Sequence, residues 1–196
     1  MKLVLGTANF GEEYDGVLVP KEEQERIWDF CRSAGIDTID TAVAYGKIDI
    51  PEDFKVITKL QIGDVLARPI YGALIHYSSC YKRSQYPWPH LYRARDAGQV
   101  EKIGWSVYYP AVTLHYLVEM DLVQIPYKNL TTRWKKRFKW NGIEIHVRKV
   151  FKDDCFEKAL ADPLVDKVII GVENLKQLQE NVRRSQNVTG YIKPVA

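Results

Sequence analysis

Ile36-Asp-Thr-Ile-Asp-Thr-Ala-Val-Ala-Tyr-Gly46 is the stretch whose reading decides the fold. Thr38 and Ile39 suit a strand, and Asp40, Thr41 and Ala42 then break into a turn that carries Tyr45. An acid and a phenol are thereby set beyond the end of one strand, where parallel α/β sheets gather their chemistry. Alone, such an Asp is equally a turn former or the cap of the next helix. Two further residues turn it into a pattern: Lys59 closes one later apolar strand and His76 closes another.

Working outward, residues 3–6 read as a first strand, followed by a loop over 7–19 and a helix opening at Pro20. Glu22, Glu23 and Glu25 crowd the first turn of that helix, Ile27, Trp28 and Cys31 form its apolar side, and Ala34-Gly35 ends it. Downstream strands are expected at 54–60, 72–77, 102–108, 122–127, 144–150 and 167–172. Helical stretches are expected at 89–97, 111–118, 131–140, 154–160 and 174–184.

Short, nearly continuous apolar strands alternating with helices are buried on both faces, which calls for a parallel sheet covered by helices. Eight such units close naturally into a barrel. The expected fold is therefore an α/β, compact (β/α)8 TIM barrel forming a single domain over residues 1–196. At 196 residues it is a small one against the usual ~250, and the shortened connections fall after strands 2, 3 and 7. A doubly wound open sheet is the alternative, but the first strand runs into Gly6-Thr-Ala-Asn-Phe-Gly11 rather than a Gly-x-Gly-x-x-Gly turn.

Composition narrows the function classes. The net charge of +3 is too mild to imply nucleic acid or a membrane as partner. Cys31, Cys80 and Cys155 are odd in number and widely spaced, which points to free thiols rather than a disulfide framework, and no metal site is expected. With neither a signal peptide nor a membrane span in evidence, a cytoplasmic location is expected and the Asn187-Val-Thr sequon reads as incidental.

In these residues the chain resembles the aldo-keto reductase superfamily. The matching stretches run nearly end to end: Leu5-Gly-Thr-Ala-Asn-Phe-Gly11, Ala34 to Gly46, Ile57-Thr-Lys59, Leu74-Ile-His76, Gly98 to Ser106, Val123-Gln-Ile-Pro-Tyr127, Ile170-Gly-Val, and Gln177-Leu-Gln-Glu-Asn181. The resemblance implies a (β/α)8 barrel, a nicotinamide cofactor (NADP or NAD) across the carboxyl-end face, and reduction of an aldehyde or ketone, a small-molecule carbonyl substrate, to an alcohol. It implies the catalytic set Asp40, Tyr45, Lys59 and His76. It also implies cofactor contacts from Gly6, Thr7, Ser106, Gln124, Arg148, Gly171, Asn174, Gln177 and Asn181.

The chemistry of the four can be reasoned from their types. Negative charge develops on a carbonyl oxygen as hydride reaches its carbon, and it must meet a proton or fixed donors. A phenol is a reluctant acid, so an ammonium from Lys59 beside Tyr45 favours the phenolate left after donation. Asp40 would keep Lys59 charged and in place, and His76 would donate to the oxygen from one ring nitrogen.

The sequence departs from the family in several places. Val107 follows Ser106 where an amide residue is common, and Arg148 stands where an aromatic ring often stacks on the nicotinamide, bringing positive charge that favours the reduced cofactor. Gly171 and Gln177 occupy positions where Lys or Arg holds the 2′-phosphate of NADPH, with Glu173, Asn174, Glu180 and Asn181 nearby, so NADPH preference is not implied by charge. The loop over 151–154 is truncated where relatives cover the pyrophosphate.

Other readings weighed are a barrel that binds cofactor or ligand as a sensor or partner subunit, and a Schiff-base lyase using Lys59. The basic run Arg133-Trp-Lys-Lys-Arg-Phe-Lys-Trp140 reads as an outer helix packing through Trp134 and Phe138 rather than a nucleic-acid surface. The loop over 77–88, with Tyr81, Lys82, Arg83, Tyr86 and Trp88, is expected either to rim the site or to be anchored on its own packed aromatics.

Overall fold

A computed structural model describes residues 1–61, 64, 66, 68–76 and 88–189. Eight parallel strands close into a barrel in sequence order. They are β1 (Leu3–Gly6), β2 (Thr38–Ala42), β3 (Lys55–Leu60), β4 (Ile70–His76), β5 (Val100–Ser106), β6 (Leu122–Pro126), β7 (Glu144–Arg148) and β8 (Lys167–Gly171). The expected (β/α)8 architecture is thus the observed one.

Five α-helices lie among the described residues: α1 (Lys21–Ala34), α2 (Trp88–Asp96), α3 (Thr132–Trp140), α4 (Phe156–Ala161) and α5 (Leu175–Thr189). The pattern in α1 works as its sequence suggests. Glu22 and Glu23 sit in the first turn, Ile27, Trp28 and Cys31 are buried, and Gly35 ends the helix in the left-handed region at φ 75°. Trp28 carries that face into the core between Phe10 and Phe54, with ring centroids 5.2 and 5.8 Å away.

Strand residues alternate between the helical jacket and the barrel interior. Outward residues such as Leu5, Ile39, Ile103, Ile125 and Val147 join the main core, while Ile57, Leu74 and Leu122 pack together inside. Alternation from that inner layer carries Lys59, His76 and Gln124 to the carboxyl-end mouth, and the mouth is where the polar inward residues collect.

Four expectations are corrected. Asp40, Thr41 and Ala42 do not break into a turn: they continue β2, paired with Ile57, Thr58 and Lys59 of β3, and the turn begins at Val43. The helical stretch expected over 111–118 is a 3-10 helix at Pro110–Tyr116. Trp88 does not rim the mouth: it is buried, stacked on Tyr116 at 5.3 Å and edge-on to Trp105 at 6.3 Å, because it faces the barrel from α2. The rest of the 77–88 loop, with Tyr81, Lys82, Arg83 and Tyr86, lies outside the described residues, as does Cys80. Finally, strand boundaries fall up to two residues earlier at β4, β5 and β7 than expected, so Tyr108 and Lys149 leave the sheet and enter the loops at the mouth.

The basic run forms α3. Phe138 is fully buried, Trp134 packs on it at 5.7 Å, and Lys135 and Lys139 pair with Asp162 and Asp166. Among the described residues no helix is long and apolar enough to cross a membrane. Cys31 and Cys155 are free and buried.

Candidate active site

Register builds the site. Gly6 pairs with Asp40 and with Gly171, Ala42 with Lys59, His76 with Ser106, Ser106 with Gln124, and Pro126 with Arg148. Residues far apart in sequence therefore reach one rim. A cavity of about 390 Å³ opens there, lined by Asp40, Tyr45, Lys59 and His76 together with Gly6, Thr7, Ser106, Gln124, Arg148 and Gly171.

Lys59 is almost wholly buried, and its Nζ donates to Asp40 Oδ2 at 2.6 Å and to the Thr41 carbonyl at 2.9 Å. Burial lowers the Lys59 pKa, while Asp40 opposes the fall. A buried amine this tightly engaged must break two hydrogen bonds before it can attack a carbonyl, which counts against the Schiff-base reading. The other carboxylate oxygen, Asp40 Oδ1, accepts from Gln124 Nε2 at 2.6 Å, and Gln124 Oε1 accepts from Ser106 Oγ at 3.1 Å. Ser106 and Gln124, expected at the nicotinamide amide, thus also form the far side of a buried chain that holds Asp40.

Tyr45 ends the 3-10 turn Val43–Tyr45 that follows β2. The loop after β1 clamps this turn: a Cβ on Gly11 would stand 2.2 Å from the Tyr45 carbonyl oxygen, so only glycine allows the approach. The Tyr45 ring lies with its centroid 5.2 Å from Lys59 Nζ and 6.5 Å from the His76 ring, nearly perpendicular to it. Burial, aided by Asp40, pushes the phenol pKa up, while Arg148 pulls the other way. Burial and Asp40 outweigh Arg148, so Tyr45 stays a protonated phenol. Burial, then Lys59 and Arg148, lower the His76 pKa, which keeps the imidazole neutral at neutral pH.

A second cavity of about 540 Å³ adjoins the first and shares Gly171 with it. Asn174, Gln177 and Asn181 line it, alongside Phe151, Glu173, Lys176 and Glu180. Asn174 Oδ1 caps α5 by accepting from the Gln177 N–H at 2.9 Å, while the Gln177 side chain is tied to Glu173. A Cβ built on Gly171 meets nothing within 4 Å, so the passage between the cavities is open.

Sequence reasoning missed Tyr14, Tyr108 and Lys149 in the first cavity and Lys176 in the second. Tyr108 is two residues beyond Ser106, and strand parity carried past the strand end was the available signal. Lys149 takes a left-handed backbone at φ 61°, which no local pattern announces. Among the described residues, no group of three or more His, Cys, Asp or Glu is arranged to hold a metal.

The closed eight-stranded parallel barrel is the fold seen in solved aldo-keto reductases. The chain is similar to a Pseudomonas aeruginosa protein provisionally assigned as an aldo-keto reductase, with 21% identity, a TM-score of 0.79, and 96% of this chain and 90% of that one covered. It is similar to the holo form of an aldo-keto reductase from Bacillus halodurans, with 14% identity, a TM-score of 0.73, and 100% and 88% covered. A thermostable aldo-keto reductase in complex with the inhibitor epalrestat aligns at 15% identity and a TM-score of 0.71, covering 98% and 91%. No protein-family model and no curated protein matches the sequence.

Proposed function

We propose that this chain is an oxidoreductase of the aldo-keto reductase type that reduces an aldehyde or ketone to an alcohol with a reduced nicotinamide dinucleotide. The observation that carries the reading is the meeting of Asp40, Tyr45, Lys59 and His76 on one small cavity. When bound, the cofactor supplies a hydride to the carbonyl carbon.

The chain's own residues do the rest. Tyr45, kept protonated by its burial, gives its proton to the carbonyl oxygen as negative charge develops there. Neutral His76 donates a hydrogen bond to the same oxygen and fixes its direction. Lys59, held by Asp40 and through it by Gln124, is the positive charge beside the phenol ring that limits the cost of the phenolate. Acid catalysis of this kind contributes about 10² to 10⁴ in rate.

The donor set fits a dinucleotide. Two cavities joined at Gly171 suit a ligand with two separate heads, with Gly6, Thr7, Ser106, Gln124 and Arg148 around one and Asn174, Gln177 and Asn181 around the other. Glu173 and Glu180 line the second cavity beside Lys176. That balance disfavours an added phosphate dianion, so NADH is expected to bind about tenfold more tightly than NADPH. The two buried free thiols suit a reducing, cytoplasmic setting.

Titration of the purified protein with NADH and NADPH, read by tryptophan fluorescence, tests the reading. Saturation by NADH below about 0.1 mM is expected. Failure of both to bind at about millimolar concentration overturns it.

A further inference from the structure

Arg148 and Lys149 stand side by side on the first cavity, and among the described residues neither pairs with a carboxylate. The sequence outside the described residues contains no Asp or Glu, so no side-chain acid is left to neutralise them. What holds them is uncharged. The Arg148 guanidinium lies 4.5 Å from the centroid of the Tyr108 ring, and one of its terminal nitrogens donates to the Val107 carbonyl at 3.1 Å. Lys149 Nζ donates to the Tyr108 hydroxyl at 3.0 Å. The buried Arg148 Nε has no hydrogen-bond partner.

Two cations braced by one ring, with no counter-charge, form a ready anion cradle. Its place matters. The cradle shares a 390 Å³ cavity with Tyr45 and His76, so an anionic group on a carbonyl substrate can reach it while the carbonyl meets the phenol. Arg148 is also close enough to the reacting groups to influence the proton affinity of both Tyr45 and His76. The left-handed backbone at Lys149 turns its side chain back towards Tyr108 and costs strain that an ordinary loop would avoid.

We infer that the substrate is an oxo acid, whose carboxylate is held by Arg148 and Lys149 while its carbonyl is presented to Tyr45 and His76. This rests on the carbonyl-reductase reading and names its substrate class. The reaction balances as before: the carbonyl carbon gains a hydride from the reduced nicotinamide, which is left oxidised, and the oxygen gains the Tyr45 proton. The carboxylate passes unchanged into a hydroxy acid product. A rival source of the anion is the pyrophosphate of the cofactor itself, and the test separates the two.

Reduction of 2-oxobutanoate, succinic semialdehyde and 4-carboxybenzaldehyde is compared with reduction of their methyl esters, alongside calorimetric binding of benzoate to the cofactor-free protein. At least one acid is expected to exceed its ester in kcat/KM by about tenfold or more, the effect of a charge-assisted contact. Arg148→Met and Lys149→Met should bring that ratio towards one and weaken benzoate binding by about tenfold. Esters reduced as well as acids, or an acid preference that survives both substitutions, overturns the inference. A loss of NADH affinity in both variants with the acid-to-ester ratio intact assigns the cradle to the cofactor and likewise overturns it. If neither acids nor esters are reduced, the carbonyl-reductase reading fails. In that case, benzoate binding lost on Arg148→Met still supports the cradle, and absence of benzoate binding to the native protein rejects it.

Discussion

Gln124 reaches across the barrel mouth to hold Asp40, its Nε2 donating to Oδ1 at 2.6 Å, while Lys59 occupies Oδ2 at the same distance. The carboxylate is buried, so each oxygen depends on its partner. Gln124→Met leaves one oxygen without a donor and is expected to cost about 1–3 kcal/mol. Asp40→Ala strands a buried ammonium and should cost about 3–5 kcal/mol. Combining Asp40→Asn with Lys59→Met removes both charges together, so the double variant should be distinctly more stable than the sum of its single changes predicts. Urea denaturation of the four proteins measures this, and strict additivity would contradict a direct buried pair.

Tyr45→Phe removes one hydroxyl and leaves the ring on Lys59 and His76. Stability should change by under about 1 kcal/mol, and cofactor affinity should hold, whereas carbonyl turnover should fall about 10² to 10⁴-fold. The raised phenol pKa also shapes the pH profile. Tyr45 remains protonated up to and beyond its ordinary range, so kcat/KM should show no alkaline fall from this group below about pH 10. An alkaline limb near pH 8 that disappears in the Phe variant would mean that the phenol ionises far more readily than its burial allows.

The tetrad was legible in the chain because Lys59 and His76 lie at or beside the carboxyl ends of apolar strands and Tyr45 closely follows β2, although Asp40, expected at the turn, lies within β2. Asp40, Lys59 and His76 needed only their strands to be placed in order. Gln124's hold on Asp40 was not legible. It joins residues 84 apart in sequence through a register set by the closed barrel. Trp88 was misplaced for a related reason: an aromatic in a Tyr- and Pro-rich stretch looks like loop, yet the first residue of α2 faces Trp105 and Tyr116. Pro110 marked where a helical stretch opens, but a proline at the first position does not distinguish α from 3-10 winding. Lys149 depends on a single backbone angle, and local composition carries no trace of that.

Two glycines at the mouth should respond oppositely to a side chain. Gly11→Ala drives a Cβ against the Tyr45 carbonyl, so the turn that aims the phenol must shift. A stability loss of about 1–3 kcal/mol is expected, with turnover reduced more than cofactor binding. Gly171→Leu meets open space and should alter stability by no more than about 0.5 kcal/mol. It narrows the passage between the two cavities, so dinucleotide affinity should fall about tenfold or more while binding of a mononucleotide is less affected. Equal affinity of Gly171→Leu and native protein for NADH would mean that the ligand does not pass this point.

The amino-terminal end of the barrel sets the acid sensitivity of the fold. Glu144 lies 3.4 Å from His146 Nε2 and is bonded to Lys102; His146 and Lys102 hold its carboxyl at about 2 against the opposing effect of burial. The unfolded chain takes up this proton near 4.5, so the stabilisation is present above that pH and is lost as the pH falls towards 2. The full shift corresponds to about 3 kcal/mol, and partial exposure of the carboxylate reduces it to about 1–2. His146 is fully buried, and burial lowers its pKa from the ordinary 6.5. The unfolded chain therefore protonates first, and stability is lost as the pH drops below 6.5. His76 adds to the same window, since burial lowers its pKa too. Melting temperature should accordingly fall between pH 7.5 and 5.5, and fall again below 4.5. His146→Leu should shrink the first step without abolishing it, and Glu144→Gln should remove most of the second. A native protein whose melting temperature is flat from pH 7.5 to 5.5 would mean that His146 carries its proton inside the barrel at no cost, with Glu144 at 3.4 Å, Asp40 and Asp166 supplying the compensating negative charge.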